Sequence, residues 1–594
     1  MNTKYMSWYC LLATSVLFAA CAKVLDQAPK ATVTPDAVFS SEPGLSLYAN
    51  SFYTIIPSAG DIMKGDAMSD YAARTDIPDY LRPNVYNANQ SSGWDFGPLR
   101  NINYFLAHNN NSTITEGVRN NYNGIARLFR AWWYYQMVQR FGDVPWYSKP
   151  LAVEDSVALY KPRDPRKLVM DSVLADLNYA TANITVTDDQ TRSLITKWVA
   201  YALKSRICLY EGTFRKYHTE LNLQGTANDW LTAAADAAQQ VIASNKFSLN
   251  QTGGSTKSYR QLFISTPPVT NEDILIDVTD PNLAVFTDAN WYWTSSTYGN
   301  RLSFDRTFVN TYLNIDGTSF TSMPGHETMT FPVETQNRDG RLQQTIRTPG
   351  YTRSDGGSVI PAPPDFTYTF TGYMPIKYSL DDTKYDQATV SVNSVPVIRY
   401  AEMLLNYAEA KEELGTFTDQ DWAKTIGALR ARAGITGGLT TKPATADPYL
   451  QANYFPNISD PTLLEIRRER SIELAWEGFR FDDLMRWKKG ELLEQLWTGM
   501  YVPSLNTPMD LNSDGKSDVV FVQTQTSTPG VKQINVAPTI GGKVNPQQLT
   551  NGTYGELTWL KDEPREWSDK KYYYPIPQSA LLKNPKLGQN PGWQ

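Results

Sequence analysis

The chain has 594 residues, a formal net charge of −6 and 20% charged residues, a balance with no basic surplus for phosphate backbones, which argues against nucleic acid as its partner. A chain this long buries a large core and is expected to form about two to four domains or subdomains. Its 16 Trp, 35 Tyr and 22 Phe are mostly core, but surplus Trp and Tyr also suit surfaces that stack on sugar rings or other amphipathic ligands.

The N-terminus reads as an address. Lys4 supplies a positive start, Trp8 to Ala20 is apolar and uncharged, and Leu17-Phe18-Ala19-Ala20-Cys21 places small residues before a cysteine. About thirteen apolar residues are too few for a permanent membrane span. Residues 1–20 are therefore expected to be a bacterial lipoprotein signal, with cleavage before Cys21 and lipidation of that residue. Of the three cysteines (Cys10, Cys21, Cys208), only Cys208 then stays in the folded body, so no internal disulfide is expected. His108, His218 and His326 follow no zinc or triad spacing.

Residues 61–92 are rich in Asp, Asn, Pro and Gly and read as a loop that ends at Trp94. Leu99, Ile102, Tyr104 and Phe105 then begin a helical pattern. Val118 to Phe141 is the longest clean helix, apolar on most sides through Leu128, Phe129, Trp132 and Trp133. Gly142-Asp143-Val144-Pro145 stops it. Asp164-Pro165 opens a second helix, Thr196 to Glu211 is its expected partner and continues to Tyr217, and Trp230 to Ser244 adds an Ala-rich helix.

From about 250 to 394 the helical period fades, with Asp273 to Val278 a plausible strand. Within this region Trp291, Tyr292, Trp293, Tyr298 and Arg301 form the best ligand-platform candidate. They are read as an extended segment with both Trp on one side and small polar residues able to reach hydroxyls. Trp94 on its loop is the second candidate. Helix returns at Val397 to Gly415 and at Ala423 to Gly434.

The next helix begins near Leu463 and carries Glu465, Glu469, Glu473 and Glu477 at four-residue intervals, with Gly478 as a stop. Ile472, Ala475, Trp476 and Phe479 read as one apolar stripe at helical period. Neighbouring carboxylates on a helix lie about 5–6 Å apart, close to the gap of a retaining glycosidase. The competing and favoured reading is an ion-paired face, because Arg467, Arg468 and Arg470 stand beside the row. Further on, Asp510, Asn512, Asp514 and Asp518 place oxygens at loop positions 1, 3, 5 and 9, with Gly515 at position 6. Phe521 stands where an EF-hand needs Glu, so a structural calcium loop and a metal-free Asx turn both remain open. No nucleophile elbow, zinc-protease, P-loop or dinucleotide motif occurs, no cofactor is required, and an enzyme is not expected.

The run ERSIELAWEGFRFDDLMRWK (469–488) resembles the most specific signature of the SusD-like (RagB/SusD) family of Bacteroidetes outer-membrane nutrient-binding lipoproteins. RLFRAWWYYQMVQRFGDVPW (127–146), Tyr572 to Pro577 and Gln589 to Trp593 resemble further landmarks, so the likeness extends over nearly the whole chain. The resemblance implies a mainly α fold, a tetratricopeptide-like superhelix of helical pairs with a large irregular loop and short-strand insertion; no regular 34-residue period in the sequence would show this alone. The expected regions are 1–20 signal, 21–260 N-terminal helical, 261–394 loop-rich insertion for the ligand, 395–490 C-terminal helical, and 491–594 loop-rich. It implies capture of a nutrient, most often an oligosaccharide, and its delivery to a SusC-like TonB-dependent transporter, with the lipid on Cys21 as the anchor at the outer membrane. Peptide capture and a surface glycoside hydrolase are the alternatives.

Overall fold

Helices carry the architecture of the computed structural model, which describes residues 38–525 and 530–594. The signal segment and Cys21 lie outside the described residues. In the N-terminal half the main helices are α1 (Glu42–Ala49), α2 (Gly97–His108), α3 (Glu116–Phe141), α4 (Arg166–Asn183), α5 (Lys197–Tyr217) and α6 (Ala227–Ala243). Helix α3 starts where the Thr115 side chain accepts from the Val118 N–H and ends where Gly142 takes φ +73°, a backbone state that costs a glycine little. Its apolar residues are buried on most sides, Leu128, Phe129 and Trp132 among them, because α2 and α4 both pack on it. Helices α4 and α5, then α5 and α6, pack in succession, the paired-helix pattern expected from their lengths. Cys208 is buried in α5, where burial pushes its thiol up to about 12, so it packs as a small hydrophobe.

The insertion is bracketed by a two-stranded sheet. Strand β1 (Asp273–Asp277) pairs antiparallel with β2 (Val395–Arg399), so residues 278–394 leave and return at one place. That excursion holds α7 (Ala289–Thr294) and several short turns. After β2 the chain re-enters the helical body as α8 (Tyr400–Glu413), α9 (Ile426–Arg432), α10 (Pro461–Glu473) and α11 (Arg480–Arg486). Helix α8 packs against α6 and α10 and joins the two halves.

Two expectations are corrected here. The apolar stripe from Ile472 to Phe479 is not one helical face: α10 ends at Glu473, Trp476 takes φ +64° and Gly478 φ +79°. The region after residue 490, read as loop, holds a three-stranded antiparallel sheet of β3 (Trp497–Val502), β4 (Gln547–Leu549) and β5 (Gly555–Trp559), with β5 in the middle. In β3 burial does not alternate strictly, which hid the strand period from the sequence.

Candidate functional site

The glutamate row belongs to the scaffold. Glu465, Glu469, Glu473 and Glu477 are 7%, 0%, 0% and 6% exposed, and each meets at least one cation. Glu473 sits among Arg399 (2.6 Å), Arg341 (2.9 Å) and Arg432, brought from β2, the insertion and α9. Burial alone would raise its carboxyl, but Arg432, Arg399 and Arg341 together hold it well below the usual range. Glu477 bonds Lys377 at 2.7 Å and Arg399 at 2.7 Å. Burial lowers the Lys377 ammonium to about 8, with Glu477 opposing. Only Glu477 reaches a cavity, a small one of about 250 Å³, and with every glutamate of the row buried and ion-paired the row offers no accessible pair of carboxylates.

The Trp291 segment is helical, which corrects the extended reading. In α7 the Tyr292 and Trp293 side chains turn inward, 6% and 4% exposed, and Trp293 packs edge-on to Trp476 at 5.3 Å. Arg301 is a clamp: its guanidinium lies 3.9 Å from the Phe370 ring centre and donates to the Phe366 carbonyl at 2.7 Å. Trp291 and Tyr298 remain accessible, stacked on each other 3.7 Å apart, and Tyr298 is 41% exposed. Asp288 holds the Tyr298 hydroxyl and bonds Lys64. The stacking already covers one face of each of these two rings.

At the Asp510 loop, Oδ1 of Asp510 accepts from the Ser513 N–H at 2.6 Å and Oδ2 from the Gly515 N–H at 2.7 Å. Asp514 accepts from the Lys516 N–H and Asp518 from the Leu511 N–H, while Asn512 donates to Asp514. The Asx-turn reading accounts for this arrangement without a metal. Among the described residues, no group of three or more His, Cys, Asp or Glu side chains is placed to hold an ion.

Trp94 stands in a cleft of about 620 Å³, within the range of small-molecule sites. The loop that presents it is fixed by Arg140, whose Nε donates to the Ser92 carbonyl at 2.9 Å, while Gly93 turns at φ +88°. Trp94 packs edge-on to Phe141 at 5.0 Å and to Phe96 at 5.6 Å, and Phe96 in turn rests on Trp133 at 5.0 Å. Tyr147 forms the next wall. Its hydroxyl donates to the Ala158 carbonyl at 3.0 Å, which ties down the segment bearing Leu159 and Tyr160; burial pushes that hydroxyl up to about 12. Beneath it, Asn103 donates to the Tyr147 carbonyl and accepts from Arg130, which is itself held by Asp176 at 2.7 Å. The C-terminal helix Gln578–Lys583 and Asn584 close the far side.

The structure does not bring the two aromatic candidates together, because no residue of 291–301 lines the Trp94 cleft. Sequence reading named Trp94 but missed Phe96, Tyr147, Tyr160 and Lys583. They arrive from four separate segments with no common motif, and only the Trp94-x-Phe96 spacing hinted at more than one ring.

This geometry can be set beside known proteins. A family model described as the SusD family matches residues 240–593, and one described as starch-binding associating with outer membrane matches residues 43–319. Among curated relatives, SusD-like protein P38 of Formosa agariphila is 26% identical over 62% of this chain and 66% of its own length. SusD-like protein P2 of the same organism is 25% identical over 61% and 65%. The chain thus spans just under two thirds of the length of these relatives. A SusD-like protein from Bacteroides fragilis superposes with a TM-score of 0.66 at 22% identity, over 95% of this chain and 100% of that one. A SusD-like carbohydrate binding protein from the same species gives 0.67 at 21% identity, over 93% and 99%. The first model alone covers more than half of the chain, and the chain belongs to the SusD family.

Proposed function

We propose that this SusD-family protein captures an oligosaccharide at the bacterial outer-membrane surface, where the lipid on Cys21 anchors it, and passes it to a SusC-like TonB-dependent transporter. The observation that carries this reading is the Trp94 cleft. Ring faces and edges from Trp94, Phe96, Tyr147 and Tyr160 line it, and flat apolar surfaces with a few fixed polar groups are what a pyranose recognises. The Trp94 Nε1–H has no partner among the described residues, so it is free to donate to a sugar hydroxyl. The family description that mentions association with the outer membrane supports the location, and no helix among the described residues is long and apolar enough to cross a membrane.

Function here is binding and release. A hydrolase of this chain would need two accessible carboxylates, and the row that suggested them is buried and ion-paired. Affinity electrophoresis against a panel of polysaccharides, with analysis of the recovered saccharide, tests the reading. Retardation by at least one polysaccharide with its chain length intact is expected. Shortened products would replace binding with hydrolysis, and retardation by none would remove the glycan.

A further inference from the structure

We propose that the Trp94 cleft selects acidic oligosaccharides, those bearing carboxylate or sulfate groups, over neutral ones; this rests on the cleft being the saccharide site. The charge of its lining carries the inference. Arg100, Lys149 and Lys583 line the cleft against a single carboxylate, Asp95, in a chain whose net charge is −6. They come from three elements: the first turn of α2, the loop after α3, and the end of the C-terminal helix.

None of the three cations has a carboxylate within ion-pair distance among the described residues. Lys161, whose carbonyl accepts from Asn584 of the cleft, does have such a partner, Asp164 at 2.5 Å. Asp95 does not offset the surplus fully, since its Oδ1 is engaged by the Gly97 N–H at 2.9 Å. A neutral sugar would use only the rings. A uronate or a sulfate ester stacked on those rings would also place its anion beside unpaired cations, each able to bond it directly.

Calorimetry on the protein with length-matched oligogalacturonates, sulfated galactan oligosaccharides and neutral cello- and malto-oligosaccharides tests this, with a poly-glutamate peptide alongside. At least one acidic series is expected to bind about tenfold tighter than the neutral ones at about 20 mM salt and to lose that advantage by about 200 mM. Which series binds identifies carboxylate or sulfate as the recognised group. Lys149→Gln and Lys583→Gln are each expected to weaken acidic binding by about two- to fivefold and to weaken neutral binding less than acidic, whereas Trp94→Ala weakens both alike. Neutral binding that depends on Trp94 with no acidic preference would overturn the charge selection and leave the saccharide site standing. Binding of no saccharide would overturn both. Poly-glutamate bound as tightly as the acidic sugars would assign the cations to an acidic peptide instead.

Discussion

Asp305 shows what burial costs a single residue. It is 0% exposed, its Oδ1 accepts from the Thr498 N–H at 2.7 Å, and its Oδ2 has no hydrogen-bond partner. Burial raises its carboxyl from 3.8 to about 7. The folded state therefore binds a proton that the unfolded chain has released, so this residue's contribution is fully present below about 3.8 and is lost as pH rises through about 7. Asp305→Asn keeps the acceptor and removes the charge; it is expected to raise Tm at pH about 8 and to raise it clearly less at pH about 5. Equal shifts at both pH values in thermal scans would contradict the assignment. Glu473 is the opposite case, with its charge wanted by three arginines. Glu473→Gln leaves those cations buried and underpaired, and a loss of about 3–5 kcal/mol is expected in urea unfolding. The paired character of this row was legible, since Arg467 and Arg468 stand beside it in sequence. Arg468 does pair with Glu465, but the partners of Glu473 at positions 341, 399 and 432 were not legible, because no local spacing connects them.

Among elements, helices were the readable part. The apolar bulk around α3 and the Pro165 start of α4 announce themselves through period and capping chemistry. Short apolar runs were not readable: a few residues rich in Trp and Tyr fit strand or helix equally well, and α7 proved to be helix, which buried Tyr292 and Trp293. The end of α10 was also misplaced, by the length of the turn that carries Trp476 and Gly478. Gly478 holds φ +79° there and its N–H reaches Asp66 at 3.0 Å. Gly478→Ala is expected to cost about 1–2 kcal/mol from the left-handed backbone alone, read as a lower urea midpoint at unchanged slope. A midpoint equal to that of the parent would show that the turn relaxes freely.

Over the whole molecule, function depends on parts that are distant in sequence. The cleft joins Trp94 to Lys583 across almost the full chain: α3 backs the first wall through Phe141 and Trp133, and the C-terminal segment supplies the last. Such a site has no motif; it exists only once the scaffold is closed. This explains why the family signature at 469–488 identifies the fold while contributing no residue to the cleft. Calorimetric titration of a retained oligosaccharide into the parent protein, Trp94→Ala and Trp291→Ala tests the central claim most directly. A loss of about tenfold or more with Trp94→Ala, and less than about threefold with Trp291→Ala, is the expected result. Unchanged affinity in Trp94→Ala, or a larger loss in Trp291→Ala, would contradict the account and move the site to the insertion.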